Sequence, residues 1–288
     1  MPHPTADLHP PPPRRAAAAR AAVAALGFGF AVSLGLGAGT ATAADPASNP
    51  RWQQLVEHYF PGQPVTPATD GLITFEAPTR AQDAALVPMS VTVDPALEAE
   101  RLHLIIDNNP VPLAAVFRFG PAHAPGPVET RVRVDRYTFV HAVVETRDGR
   151  LLTAERFVKA SGGCSAPAVR DPAEAAARLG KMRVRLPERI TAGEAVTAQV
   201  MISHPNNSGL QFDQITRFYI PPHYLTDITV TYDGVPVLTI DADISISEDP
   251  SFRFTFVAEA GGVLAVTARD SKGMEFADQW QVQVEPAS

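Results

Sequence analysis

Of the side chains able to do covalent chemistry, one thiol stands alone. Cys164 is the single cysteine of the 288-residue chain, set in Ala160-Ser161-Gly162-Gly163-Cys164-Ser165-Ala166-Pro167. A thiol becomes a nucleophile and a redox group when it ionises. Two glycines before it and small residues after it show no strand or helix periodicity, so the sequence predicts an exposed sulfur on a flexible arm made by Gly162 and Gly163. Lys159 and Arg170 are the neighbouring cations that could lower its pKa. The competing reading is a small buried apolar residue, the common fate of free cysteines.

The other candidates are weaker. Beyond the first 43 residues the histidines are His58, His103, His123, His141, His204 and His223. None shows a metal-ligand spacing, so no metal and no cofactor is assigned, although a site assembled across strands would escape such a test. His103 and His141 fall inside strand patterns and read as structural; His204, before Pro205, reads as a turn residue. Glu145, Asp148 and Glu155 lie near a hairpin without forming an acid–base pair. There is no nucleophile elbow, phosphate loop or catalytic triad, and no histidine close in sequence to serve Cys164 as base. No catalytic residue is assigned and the chain does not read as an enzyme.

These residues need a frame. Arg14, Arg15 and Arg20 precede a small, apolar run from Ala21 to Ala38, and Ala41-Thr42-Ala43 gives the small-x-small pattern of a signal-peptidase site. Residues 1–43 therefore read as a signal peptide cleaved before Ala44, with a retained anchor as the alternative, which places the rest in the periplasm. Arg14-Arg15 lacks the flanks of a twin-arginine signal, so the Sec and Tat routes both stay open. Losing three arginines and Asp7 takes the formal charge from −7 to −9. Such an acidic surface argues against nucleic acid and anionic membranes, and favours partners with basic entrances. An unpaired cysteine in an oxidising compartment is either incidental or a reactive handle.

Asn49 to Phe60 carries Trp52, Leu55, Val56, Tyr59 and Phe60 at helical spacing, with Pro50 suited to a first turn. Alternating patterns then predict strands over residues 87–93, 102–106, 114–119, 128–134, 138–146 and 151–158. Asp107-Asn108-Asn109-Pro110 is turn chemistry, and Arg147-Asp148-Gly149-Arg150 is a hairpin turn. A short helix after Asp171-Pro172 ends at Gly180, and a second series follows over residues 182–186, 195–203, 215–219, 228–232, 237–240, 251–258, 263–269 and 276–284. Phe252, Phe254 and Phe256 share one strand face and read as core. The expected fold is all-β: two tandem immunoglobulin-like β-sandwiches with a short N-terminal helix. The domains are 44–160, a cysteine-bearing loop and linker helix over 161–180, and 181–288.

The first series resembles the SoxY subunit of the bacterial sulfur-oxidation carrier, on Ile105-Ile106-Asp107-Asn108-Asn109-Pro110-Val111-Pro112-Leu113-Ala114-Ala115 and on Gly162-Gly163-Cys164. The second resembles its SoxZ partner, on Met182-Arg183-Val184, Ala192-Gly193-Glu194, Ile202-Ser203-His204-Pro205 and the strand pair from Asp270 to Val284. The resemblance implies a fused SoxY–SoxZ carrier of the type associated with quinoprotein dehydrogenases. Cys164 would be the covalent attachment point of a thiosulfonate or persulfide intermediate. The implied partners are periplasmic oxidoreductases, among them a quinoprotein dehydrogenase and c-type cytochromes, and the two halves would pack together.

SoxY carries its cysteine in a Gly-Gly-Cys-Gly-Gly run at a free C-terminus. Here Ser165-Ala166-Pro167 follows and the chain continues, so the arm is tethered at both ends. Either partners have an open cleft or the loop from Ala160 to Pro172 protrudes as a hairpin. A non-covalent accessory or scaffold protein of a quinoprotein dehydrogenase system is the alternative function.

Overall fold

The computed structural model describes residues 49–167 and 172–287. The predicted signal peptide, Arg170 and Asp171 lie outside the described residues. The chain opens with helix α1, Pro50–Tyr59, whose first turn is set by Pro50 and by the Asn49 side chain accepting from the Arg51 amide. Trp52 and Leu55 turn its apolar face onto Ile105, Val143 and Leu151.

Eight strands follow: β1 Val65–Pro67, β2 Ile73–Glu76, β3 Val87–Val93, β4 Ala99–Ile106, β5 Leu113–Phe119, β6 Pro127–Val132, β7 Thr138–Thr146 and β8 Leu151–Val158. Helix α2, Pro172–Arg178, leads to β9 Met182–Arg185, β10 Ala195–Ile202, β11 Leu225–Tyr232, β12 Val235–Ala242, β13 Ser251–Val257, β14 Gly262–Asp270 and β15 Glu275–Val282. The short strands β1 and β2 were not expected; both lie before the first clear alternation.

The two sandwiches do more than touch. One sheet runs β1-β8-β7-β4-β5-β12-β11-β14-β15 and the other β2-β3-β6-β13-β10-β9. The first half ends at β5 in one sheet and β6 in the other; β12 and β13 of the second half continue both. Antiparallel β5–β12 pairing puts Leu238 opposite Phe119 and Ala242 opposite Ala115. β6 and β13 meet at Glu129 and Arg253. A single apolar core passes through this join, with Phe117 and Phe252 edge to face across it at 6.3 Å. Phe252, Phe254 and Phe256 are all buried, as their alternation predicts.

One expected strand is absent. Residues 215–219 lie instead in the long loop between β10 and β11. The Asp213 carboxylate accepts from the amides of Ile215 and Thr216, the Arg217 amide bonds back to the Asp213 carbonyl, and Arg217 adopts φ 62°. Those bonds close a tight turn in place of an extended ladder. Ile215 is left 93% exposed and Phe218 75%.

Candidate functional site

Cys164 sits where the chain leaves the first half, and its placement corrects the sequence reading. The residue is 0% exposed. Gly162 and Gly163 are not a free arm: their amides donate to the carbonyls of Asp135 at 2.8 Å and Val134 at 3.0 Å. A Cβ built on Gly163 would lie 2.1 Å from the Ala84 carbonyl oxygen and 2.7 Å from that of Val134. The glycine is therefore used for close backbone approach, which also looks like flexibility in a sequence. From Ala160 to Pro167 the loop lies against the body and does not protrude.

The second half supplies the cover. The Ser208 hydroxyl donates to the Cys164 carbonyl. The Gln211 side-chain amide donates to the Ala166 carbonyl at 3.1 Å, while its Oε1 accepts from the Ser208 amide at 3.2 Å. Both residues belong to the β10–β11 loop, so a loop of one half fastens the cysteine segment of the other.

Arg133 joins the two from below. It follows β6, its own amide donates to Ser245 O at 2.7 Å, and its side chain is buried. Nη1 donates to Gly163 O and Nη2 to Asn206 O, both at 3.3 Å, while Nε has no hydrogen-bond partner. Asn109, in the expected turn, holds this arrangement. Its Nδ2 donates to Arg133 O at 2.7 Å and to Ser245 Oγ at 2.9 Å, and its Oδ1 accepts from the Asp135 amide at 2.9 Å. The turn reading was right, but Asp107 and Asn109 of the turn are buried, and Asn109 reaches Ser245 of the second half. Arg133, Asn206, Ser208 and Gln211 were not singled out from the sequence, because nothing local tells a loop residue which distant backbone it will meet.

Burial pushes the Cys164 thiol up to about 12, with Asp135 adding to the rise and Arg133 opposing it. Lys159 and Arg170 were the cations that could have lowered it; Arg170 lies outside the described residues, and the charges that act on the thiol are Asp135 and Arg133. At neutral pH the closed thiol is almost wholly protonated and a poor nucleophile. Burial likewise lowers the pKa of Arg133, opposed by the charges of Glu248 and Asp83 and by Cys164 when it is ionised.

The remaining candidates are largely structural. His103 is held by Glu145 at 3.5 Å, and Arg101 pairs with the same carboxylate at 3.0 Å. Asp148 accepts from Thr146 and Arg150 in the hairpin turn. His141 is buried between Asp107 at 3.3 Å and Glu155 at 3.6 Å, with Trp52 stacked on its ring at 3.6 Å. His204, read as a turn residue, lies just past the end of β10. It is buried with His223 and Asp270, a cluster that no sequence spacing shows. Burial, with His223 beside it, lowers the His204 pKa to about 4.

Two family models match the chain in tandem. Sulfur oxidation protein SoxY covers residues 57–164, a segment that ends on Cys164. Sulphur oxidation protein SoxZ covers residues 183–281. Among solved structures the chain is similar to the sulfur carrier protein SoxY from Chlorobium limicola f thiosulfatophilum. They share 25% identity with a TM-score of 0.33, over 38% of this chain and 91% of that one. A superoxide reductase (neelaredoxin) from Ignicoccus hospitalis is similar at 17% identity and a TM-score of 0.28, over 40% of this chain and 89% of that one. No curated protein matches.

Proposed function

The chain belongs to the SoxY and SoxZ families, joined in one polypeptide as a sulfur-oxidation carrier, and from that premise we propose that Cys164 carries the sulfur intermediate covalently. The observation that supports this most is the place of the thiol. It ends the SoxY segment, lies at the join of the two halves, and has the buried Arg133 guanidinium beside it. A thiosulfonate adduct is an anion, and a buried cation with an unpartnered Nε offers it a charge-assisted hydrogen bond.

Joining a thiol to thiosulfate through a new S–S bond releases one proton and two electrons. The electrons go to an oxidant of the c-type cytochrome class, so the carrier itself need supply no redox group. The proposed setting is the periplasm, with a quinoprotein dehydrogenase among the oxidoreductases that load and unload the arm. The fused arrangement and the export-like N-terminus are what favour it.

A buried thiol must come out to be served. The hydrogen bonds from Gly162, Gly163, Arg133, Ser208 and Gln211 hold the segment. At about 1 kcal/mol net apiece, opening costs about 5 kcal/mol, leaving roughly one molecule in several thousand open. That lies within the range of local opening and needs no global unfolding. The closed state then shelters a labile adduct, and partners act on the open one.

The burial of the thiol and its raised pKa favour one second reading, a non-covalent accessory protein whose cysteine is inherited and unused. Replacement by Cys164→Ser in the native host separates the two. The carrier reading expects loss of sulfur-dependent growth with normal protein levels, whereas unchanged growth supports the accessory role.

A further inference from the structure

His204 and His223 stand at the two ends of the β10–β11 loop, and Asp270 closes β14. All three are buried, and their ligand atoms lie within 4.8 Å of one another. Asp270 Oδ2 is 2.7 Å from His223 Nε2 and 3.6 Å from His204 Nε2. Its other oxygen, Oδ1, accepts from the amides of Lys272 at 2.8 Å and Met274 at 2.9 Å, which fixes the carboxylate and leaves Oδ2 facing the imidazoles.

His204 is held in place by its neighbours. Nδ1 lies 2.8 Å from Asn206 Oδ1. The Asn206 amide is oriented by the Leu225 N–H donating to Oδ1 at 3.2 Å and by its Nδ2 donating to Ile246 O at 3.3 Å. The oxygen therefore faces the ring, while the Asn206 backbone N–H donates to the same Nδ1 at 3.1 Å. On the other side of the ring Nε2 is buried and without a hydrogen-bond partner, aimed at a carboxylate. A cation between that nitrogen and the carboxylate would satisfy both out of water.

We propose that His204 Nε2, His223 Nε2 and Asp270 Oδ2 bind a divalent transition-metal ion of the zinc class. Two imidazoles and one carboxylate suit such a borderline ion better than calcium or magnesium, which take oxygen ligands. Ligands about 2.0 Å from a tetrahedral ion stand roughly 3.3 Å apart, between the two distances seen here, so small side-chain rotations suffice. With an ion on Nε2 the ring proton sits on Nδ1, and its contact with Asn206 Oδ1 is the outer-shell hydrogen bond that orients a metal-bound imidazole. Three protein ligands leave one position for water.

The ion staples both ends of the loop that carries Ser208 and Gln211, the residues that fasten the Cys164 segment. Asn206 links the two directly, since its carbonyl accepts from Arg133. The site does not depend on Cys164 carrying sulfur.

Purified protein and its Cys164→Ser variant, freed of metal by chelator dialysis, are titrated with Co²⁺ and then Zn²⁺. The expected result is one equivalent bound in both, with visible d–d bands, no thiolate-to-cobalt charge-transfer band, and displacement by Zn²⁺. His223→Gln and His204→Gln, checked for folding by circular dichroism, are expected to weaken binding at least 100-fold. X-ray absorption of the zinc-loaded wild type, which needs no variant, is expected to show nitrogen and oxygen neighbours only. No stoichiometric binding, a sulfur neighbour, or undiminished affinity in a folded His223→Gln variant would overturn the site.

Discussion

Two loops meet at the join of the halves, and each is the reverse of what its composition suggests. The segment Gly162-Gly163-Cys164-Ser165 offers nothing to a core, yet Gly163 and Cys164 are buried. The β10–β11 loop carries Phe212, Ile215, Phe218 and Tyr219, yet all four are exposed. The difference teaches that burial of a loop is set by backbone fit and hydrogen-bond partners more than by the apolarity of its side chains. Gly163 packs because it lacks a Cβ, against the carbonyls of Ala84 and Val134. Ile215 is out because the Asp213 carboxylate captures the amides that a strand would have used.

The contrast can be pressed hardest at Gly163. Gly163→Ala forces a methyl into carbonyl oxygens at 2.1 and 2.7 Å, an overpacking of about 1–3 kcal/mol. Iodoacetamide labelling of native Cys164 should rise by up to about 100-fold with an unchanged far-ultraviolet spectrum. Unaltered labelling would show that the glycine is not needed for close packing.

Next in size is the pH response of the thiol. A closed-state pKa of about 12 against an ordinary 9.0 means that protonation stabilises the closed arm fully below pH 9, and that this is lost as pH climbs from 9 to 12. Labelling should therefore keep rising about tenfold per pH unit beyond pH 9. A plateau near pH 9 would mark an ordinary exposed thiol.

Ser208→Ala removes one hydrogen bond to the Cys164 carbonyl, about 1 kcal/mol, so labelling should rise roughly fivefold. No change would mean that the loop does not fasten the arm. The smallest effect belongs to the exposed side. Ile215→Ser and Phe218→Ser should each shift the unfolding free energy by less than about 0.5 kcal/mol. A large drop in melting temperature would show that these side chains are packed in solution.

Much of the frame was legible in the sequence. β3, β7 and β8 begin and end where their alternation and the Asp148-Gly149 turn place them. What the period could not state is partnership. The β5–β12 pairing that merges two sandwiches depends on edges far apart in sequence. At the site, Cys164 was legible by type and its surroundings were not. Arg131 and Arg133 flank Val132 and look alike in the sequence, yet only Arg133 is buried under the arm. His223 and Asp270 stand 47 residues apart and meet at 2.7 Å, a proximity created by β11–β14 pairing, which sets Leu225 opposite Asp270.

The most direct test of the carrier is intact-mass spectrometry of the protein taken from its native cells while sulfur oxidation runs, before and after a reducing agent. The account predicts a reducible adduct localised to Cys164, with the mass of sulfane sulfur or a thiosulfonate. A bare thiol on every molecule, alkylated in full once the protein is denatured, would contradict it.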